Sequence, residues 1–192
     1  DAWPLPRNAD LVERCLAQLP FRLTGAQQRS WREIEEDLAR ARPMMRLVQG
    51  DVGSGKTVVA ALAALRAVES GMQAAVMAPT ELLAEQHARN FLGWLDPLGV
   101  RVGLLTGRQT GKVRAALNQD LASGAIQVAV GTHALFQEGM QFDRLALVIV
   151  DEQHRFGVDQ RMQLREKGLA DGRYPHQLVM TATPIPRTLA MT

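Results

Sequence analysis

Eight residues, Gly50 to Thr57 in the order GDVGSGKT, set a glycine, four further residues and then Gly-Lys-Thr between a short apolar run and a long helical pattern. Glycines at this spacing let the chain curl so that successive backbone N–H groups point inward at a phosphate. A helix starting near Lys56 adds its positive dipole end, on the order of half a charge. Gly50, Gly53, Ser54 and Gly55 form the expected cradle, Lys56 neutralises the outer phosphates, and Thr57 offers its hydroxyl to a Mg ion. A Gly-rich turn with a solvated lysine is the alternative, and the flanking strand and helix argue against it.

A second stretch, LALVIVDEQHRFG from Leu145 to Gly157, runs six apolar residues into two adjacent carboxylates. Like charges side by side repel, so the pair needs a reason. Beside a phosphate loop, an Asp that ends an apolar strand holds Mg, commonly through water, and a neighbouring carboxylate positions or deprotonates the attacking water. Asp151 takes the first role and Glu152 the second, and a divalent cation removes the repulsion. The competing reading makes them caps of a helix starting near Phe156.

Further candidates lie elsewhere. In PFRLTGAQQR, a glutamine amide matches the N6 donor and N7 acceptor of adenine, and Phe21 offers a ring to stack. Gln27 and Gln28 qualify equally on chemistry, and a helix turn capped by Thr24 explains both without any ligand. Thr80, Thr106, Gly107, Arg108, Thr132 and His133 follow apolar runs, where hydroxyls and helix-start N–H groups suit phosphodiester oxygens and read no bases. Thr80 also qualifies as a simple helix cap. TATPIPRT sets Thr181 and Thr183 at a strand end expected beside Asp151 and within reach of His154.

Short β-rich runs at 44–50, 73–79, 100–107, 126–132, 145–152 and 176–183 alternate with longer helical patterns such as GKTVVAALAALRAVES and ELLAEQHARNFLGWL. Near-continuous apolar strands between helices predict an α/β fold, a mostly parallel central sheet with helices on both faces. Ligands in such folds bind beyond the carboxyl ends of the strands, where the candidate residues fall. Leu11, Cys15 and Leu19 predict a short helix stopping at Pro20, and Trp31, Ile34 and Leu38 in SWREIEEDLARAR predict a second surface helix.

The 192 residues suffice for one domain with a good core, and 46% hydrophobic with 22% charged residues fits a folded soluble chain. No apolar run approaches the roughly 20 residues of a spanning helix. The four histidines, His87, His133, His154 and His176, lack zinc-site spacing. The single Cys15 allows no internal disulfide and suits a cytoplasmic location. A net charge of +2 requires any nucleic-acid contact to be local. Lysines occur only at 56, 112 and 167, which makes Lys56 conspicuous. With Asp1 first and no leader pattern, the chain reads as part of something longer.

Taken together, LTGAQ, GDVGSGKT, PTELLAEQ, GTHAL, DEQH and TATP resemble, in order and spacing, the superfamily 2 helicases. The closer resemblance is to the RecG family of ATP-dependent, branch-migrating DNA helicases. It rests on MAPTELLAEQH, GTHALFQE, VIVDEQHRFGV and MTATPIPRTLAMT. Transcription-repair coupling factors share HRFGV and ATPIPRT but typically carry a second Glu where this chain has Gln153.

The resemblance implies a RecA-like P-loop NTPase fold using ATP and Mg, with Gln27 as adenine reader. It makes Gln153, His154 and the Thr181-Ala182-Thr183 segment the couplers of nucleotide state to movement. It also implies backbone contacts to DNA around Thr80, Arg108 and Thr132, and branched DNA such as stalled forks and Holliday junctions as substrate. Residues 1–20 become a connector from a missing upstream wedge domain, and 21–192 the first motor domain. A second motor domain bearing an arginine finger is missing too, so the fragment alone is expected to hydrolyse ATP negligibly. A GTP-dependent switch would need an Asn-Lys-x-Asp run, and Asn8, Asn90 and Asn118 are all followed by other residues. A nucleotide-independent module is disfavoured by intact Lys56, Thr57, Asp151 and Glu152.

Overall fold

The computed structural model describes residues 1–49, 55–137, 139–151 and 172–181. Six strands, β1 (Met45–Gln49), β2 (Gln73–Met77), β3 (Val102–Leu105), β4 (Val128–Gly131), β5 (Leu145–Asp151) and β6 (His176–Thr181), form one sheet in the order β1-β6-β5-β2-β4-β3. Every pairing is parallel. Each apolar strand side alternates between two layers. Ala74, Val76, Leu147, Ile149, Leu178 and Met180 face one core, while Ala75, Met77, Val148, Val150 and Val179 face the other. Helices on both sides of the sheet supply the remaining apolar surface.

On the first side lie α1 (Leu11–Gln18), α2 (Gly25–Leu38), α3 (Gly55–Glu69) and α4 (Glu81–Leu95). From Val58 to Val68 every residue of α3 is buried, as expected for a helix that is apolar all round and enclosed. Its run of alanines combines high helix propensity with close approach of neighbours. The stripe Ala84, His87, Ala88, Phe91 and Leu95 seats α4. On the second side α5 (Gly111–Ala122) buries Leu121 but leaves Val113 half exposed. That weak amphipathicity explains why α5 has no counterpart among the expected helices. Among the described residues, no helix is long and apolar enough to cross a membrane.

Helix α2 starts at Gly25, ahead of the SWREIEEDLARAR pattern, where the Thr24-capped helix turn places it, because Thr24 and Gln27 close a capping box. Thr24 Oγ1 accepts from Gln27 N at 3.2 Å, and Gln27 Oε1 accepts from Thr24 N at 2.8 Å. Its Trp31, Ile34 and Leu38 are buried against the core, so only its charged sides are surface.

Residues 1–20 share that same core through Leu5, Val12 and Cys15. Asp10 makes no side-chain cap for α1. The vacant N–H groups of Leu11 and Val12 donate instead to Glu69 Oε1 of α3, at 3.1 and 3.4 Å. Glu69 Oε2 accepts from Arg66 at 2.7 Å, and Arg66 also pairs with Glu35 of α2 and lies 5.6 Å over the Trp31 ring. One buried guanidinium therefore fastens α2 to α3, and its carboxylate partner fastens α1.

At the amino ends of the strands, His176 is fully buried, accepting at Nδ1 from Met44 N (3.0 Å) and donating from Nε2 to Trp3 O (2.8 Å). Burial lowers its pKa from 6.5, only partly opposed by the Trp3 carbonyl and the more distant charge of Asp37. The folded chain therefore refuses a proton that the unfolded chain accepts. The His176 contribution to stability is complete above about pH 6.5 and is lost as pH falls from there towards the folded pKa, with a slope of at most about 1.4 kcal/mol per pH unit. Urea unfolding between pH 7.5 and 5 checks this. His176→Asn, which keeps an acceptor without titrating, is expected to flatten the decline.

Candidate functional site

The carboxyl edge of the sheet is nearly level. Gln49 of β1 pairs with Thr181 of β6, Met180 with Asp151 of β5, Val150 with Met77 of β2, and Met77 and Leu105 both with Gly131 of β4. Strand order divides this edge in two. Where β1, β6 and β5 end stand the segment leading to the phosphate loop, Thr181 and Asp151. Where β2, β4 and β3 end stand Thr80, Thr132 and the Thr106–Arg108 run.

In the first half, α3 starts directly at Gly55, so Lys56 and Thr57 occupy its positive end, and both are buried. Lys56 Nζ and Asp151 Oδ1 are buried without a hydrogen-bond partner among the described residues. A buried unpaired polar atom costs about 1–3 kcal/mol, and more when charged. An ammonium for phosphate oxygens, a hydroxyl and a carboxylate oxygen are the donor set a Mg–nucleotide needs, so the residues fit that group.

Gln27 and Gln28 separate here. Gln27 donates from Nε2 to Gly55 O at 3.0 Å and accepts the Thr24 N–H at Oε1, which orients its amide. Each amide atom keeps one further bonding capacity, one donor and one acceptor, the pair that adenine N7 and N6 require. A Cβ on Gly55 would lie 3.0 Å from Gln27 Nε2, a tight contact that would push the amide back by a few tenths of an ångström. Gln28 turns away to Leu23 O and lines a surface pocket of about 390 Å³ with Phe21, Trp31 and Arg32. Gln27 is not among the residues lining that pocket.

In the second half, Thr80 caps α4 by accepting from Leu83 N at 3.2 Å. Arg108 pairs with Glu81 of the same turn, and Gly107 packs beside that carboxylate. Arg108 is 80% exposed, and such a surface pair contributes at most about 1 kcal/mol, so a phosphate can displace it cheaply. Thr132 is buried and caps the 3-10 turn His133–Phe136, with His133 exposed. Gly131 must be glycine, since a Cβ there would come within 2.4 Å of Leu105 O.

Two residues escaped the sequence reading. Arg114 of α5 donates to Thr106 O at 2.8 Å and to Ala134 O at 3.3 Å, bridging the segments after β3 and β4. His87 of α4 meets Asp151 Oδ2 at 2.6 Å, both side chains buried. A histidine on the buried stripe of α4 was the available signal, because burial obliges it to find a polar partner. Gly50, Gly53, Ser54, Glu152, Gln153, His154, Ala182 and Thr183 lie outside the described residues.

Comparison with known proteins agrees with this geometry. The sequence model of the DEAD/DEAH box helicases matches residues 24–192. The chain belongs to the DEAD/DEAH box helicase family. Among helicases of known sequence, it is 65% identical over 191 residues to the ATP-dependent DNA helicase RecG of Escherichia coli and 63% identical to that of Haemophilus influenzae. Each alignment covers the whole of this chain and 28% of the relative, so the chain spans little more than a quarter of those helicases. A solved structure of RecG bound to a three-way DNA junction superposes with a TM-score of 0.83 at 44% identity, over 98% of this chain and 25% of that one. The helicase MrfA bound to DNA and AMPPNP gives 0.72 at 16% identity, over 97% and 28%, a likeness of fold alone. The fold is therefore the RecA-like helicase domain, in which every described strand pairing is parallel, and membership of this helicase family implies use of a nucleotide.

Proposed function

We propose that this chain is the first motor domain of an ATP-dependent DNA helicase that remodels branched DNA such as stalled replication forks and four-way junctions. The carrying observation is the divided carboxyl edge, with buried, unpartnered Lys56 and Asp151 atoms in one half and hydroxyls, helix starts and an exposed arginine in the other. The likeness to RecG over the whole chain supports the substrate class.

In this reading Lys56 neutralises the outer phosphates, and Thr57 and Asp151 hold Mg. The bound cation supplies charge neutralisation on the phosphates. Gln27 reads adenine with its two remaining capacities, Phe21 gives the base an apolar neighbour, and the loop residues Gly50, Gly53, Ser54 and Gly55 present backbone N–H groups. Glu152 orients the attacking water. Gln153, His154 and Thr181-Ala182-Thr183 relay the nucleotide state, and Thr80, Gly107, Arg108, Thr132 and His133 grip the DNA backbone. Residues 1–20 lead in from an upstream wedge domain, and a second motor domain adds an arginine finger, worth roughly 10³–10⁵ in rate. Alone, the chain binds ATP weakly and hydrolyses it negligibly. Cytoplasmic location suits a chain whose only cysteine, Cys15, is buried with its pKa pushed up to about 11.

The test is a transplant of these 192 residues into E. coli RecG in place of the matching segment, followed by ATP hydrolysis with forked DNA, linear duplex and RNA. Forked DNA is expected to stimulate most. Equal stimulation by RNA would remove the substrate class, and no hydrolysis from a folded chimera would remove the motor reading.

A further inference from the structure

We infer that His87 is the positioning residue for Asp151: by occupying Oδ2 it fixes the carboxylate so that Oδ1 alone is presented to the nucleotide-bound cation. The inference rests on the reading of Asp151 as a Mg carboxylate. A carboxylate only accepts, so His87 Nε2 carries the hydrogen in the 2.6 Å contact, and Nδ1 is left without a partner among the described residues. Both side chains are buried, 8% and 2% exposed, so no water competes for this bond. An isolated Asp at a strand end swings between rotamers. One whose first oxygen is already taken by a rigid ring offers the second in a single direction, as in metal sites where outer partners orient the ligating carboxylates.

The placement gives His87 a further part. Asp151 closes the nucleotide half of the carboxyl edge, whereas His87 sits two turns into α4, whose N-cap is Thr80 and whose Glu81 pairs with Arg108. The His87–Asp151 bond is thus a side-chain link from the metal carboxylate to the helix that begins in the other half. A shift of α4 on contact with a phosphodiester backbone would be felt at Asp151 Oδ2 directly.

The experiment uses the 192-residue chain and measures how far a nonhydrolysable ATP analogue raises its urea unfolding midpoint, with Mg and with EDTA. The two shifts give the ratio of metal-loaded to metal-free affinity, a readout that works for weak binding and needs no turnover. His87→Asn is too short to reach Oδ2 and is expected to reduce the ratio about tenfold, the low end for outer partners of metal ligands, while leaving the EDTA shift intact. His87→Gln, whose amide N–H can reach, is expected to restore it. Equal ratios for wild type and His87→Asn would overturn the inference, as would a loss that is the same with and without metal. If His87→Gln fails as badly as His87→Asn, the hydrogen bond is not the cause and the inference falls. Asp151→Asn separates this from the underlying reading: if that variant keeps the full Mg effect, the Asp151 assignment is what fails.

Discussion

Arg66→Ala is expected to lower the unfolding free energy by about 3–5 kcal/mol, a large share of the 5–15 kcal/mol typical of a domain. Arg66 is 2% exposed, and the side chain of its partner Glu69 is fully enclosed. Burial alone would lower the Arg66 pKa, but the hydrogen bonds it donates to Glu35 and Glu69, together with their negative charges, outweigh that and raise it, so the guanidinium stays charged. Removing it strands the Glu69 carboxylate in the interior, with the first N–H groups of α1 as its remaining partners among the described residues. The loss reaches the site as well, since α2 carries Gln27 and α3 carries Lys56. Arg66→Lys is expected to recover only part, because one ammonium cannot serve carboxylates on two helices as a planar fork does. Urea unfolding with an unchanged slope and a much lower midpoint is the expected record; a loss below about 1 kcal/mol would mean that Glu69 is solvated on opening rather than stranded.

Lys56→Met should act with opposite signs on stability and binding. In the chain without nucleotide, removing a buried ammonium that lacks a partner among the described residues is expected to stabilise by about 1–3 kcal/mol, because the aliphatic stem is kept and the desolvation cost disappears. With Mg–ATP, wild type gains about 2.7 kcal/mol at a hundred times its Kd, and the variant is expected to gain close to nothing. Thermal unfolding with and without nucleotide checks both halves together. A variant that is less stable when empty would place Lys56 in the core, whereas one that keeps the nucleotide gain would take Lys56 out of the phosphate site. Such a trade is usual where a side chain is held ready for a ligand.

Much of this organisation was legible in the sequence because its signals are local. Six apolar runs gave six strands, and the ELLAEQHARNFLGWL pattern gave α4 with the bounds Glu81–Leu95. Strand ends ran shorter than the apolar runs, since residues such as Thr106 and Thr132 follow the strand and belong to the loops that carry chemistry. What resisted prediction is relational. Nothing in the spacing of Gln27 and Gln28 distinguishes them; the capping box and the neighbouring Gly55 do. The Asp151 partner lies 64 residues away on α4, and no periodicity announces a bond between a strand end and a helix flank. Helix α5 buries too little apolar surface to declare its period.

Strand order also fixes when the two halves of the edge come into being. β2, β3 and β4 lie within residues 73–131, so the half of the sheet proposed to meet DNA has its strands together as soon as that stretch has left the ribosome. β1 finds its neighbour only in β6, across a separation of 132 residues, after β5 has taken its place against β2. The strand that delivers the phosphate loop is thus among the first made and waits longest for a partner. The closure entropy of that long loop must be met before any contact with β6 rewards it. Nascent chains halted before residue 176 should accordingly protect β2 and β4 from proteolysis while leaving Met45–Gln49 open, a window in which a chaperone has the most to shield.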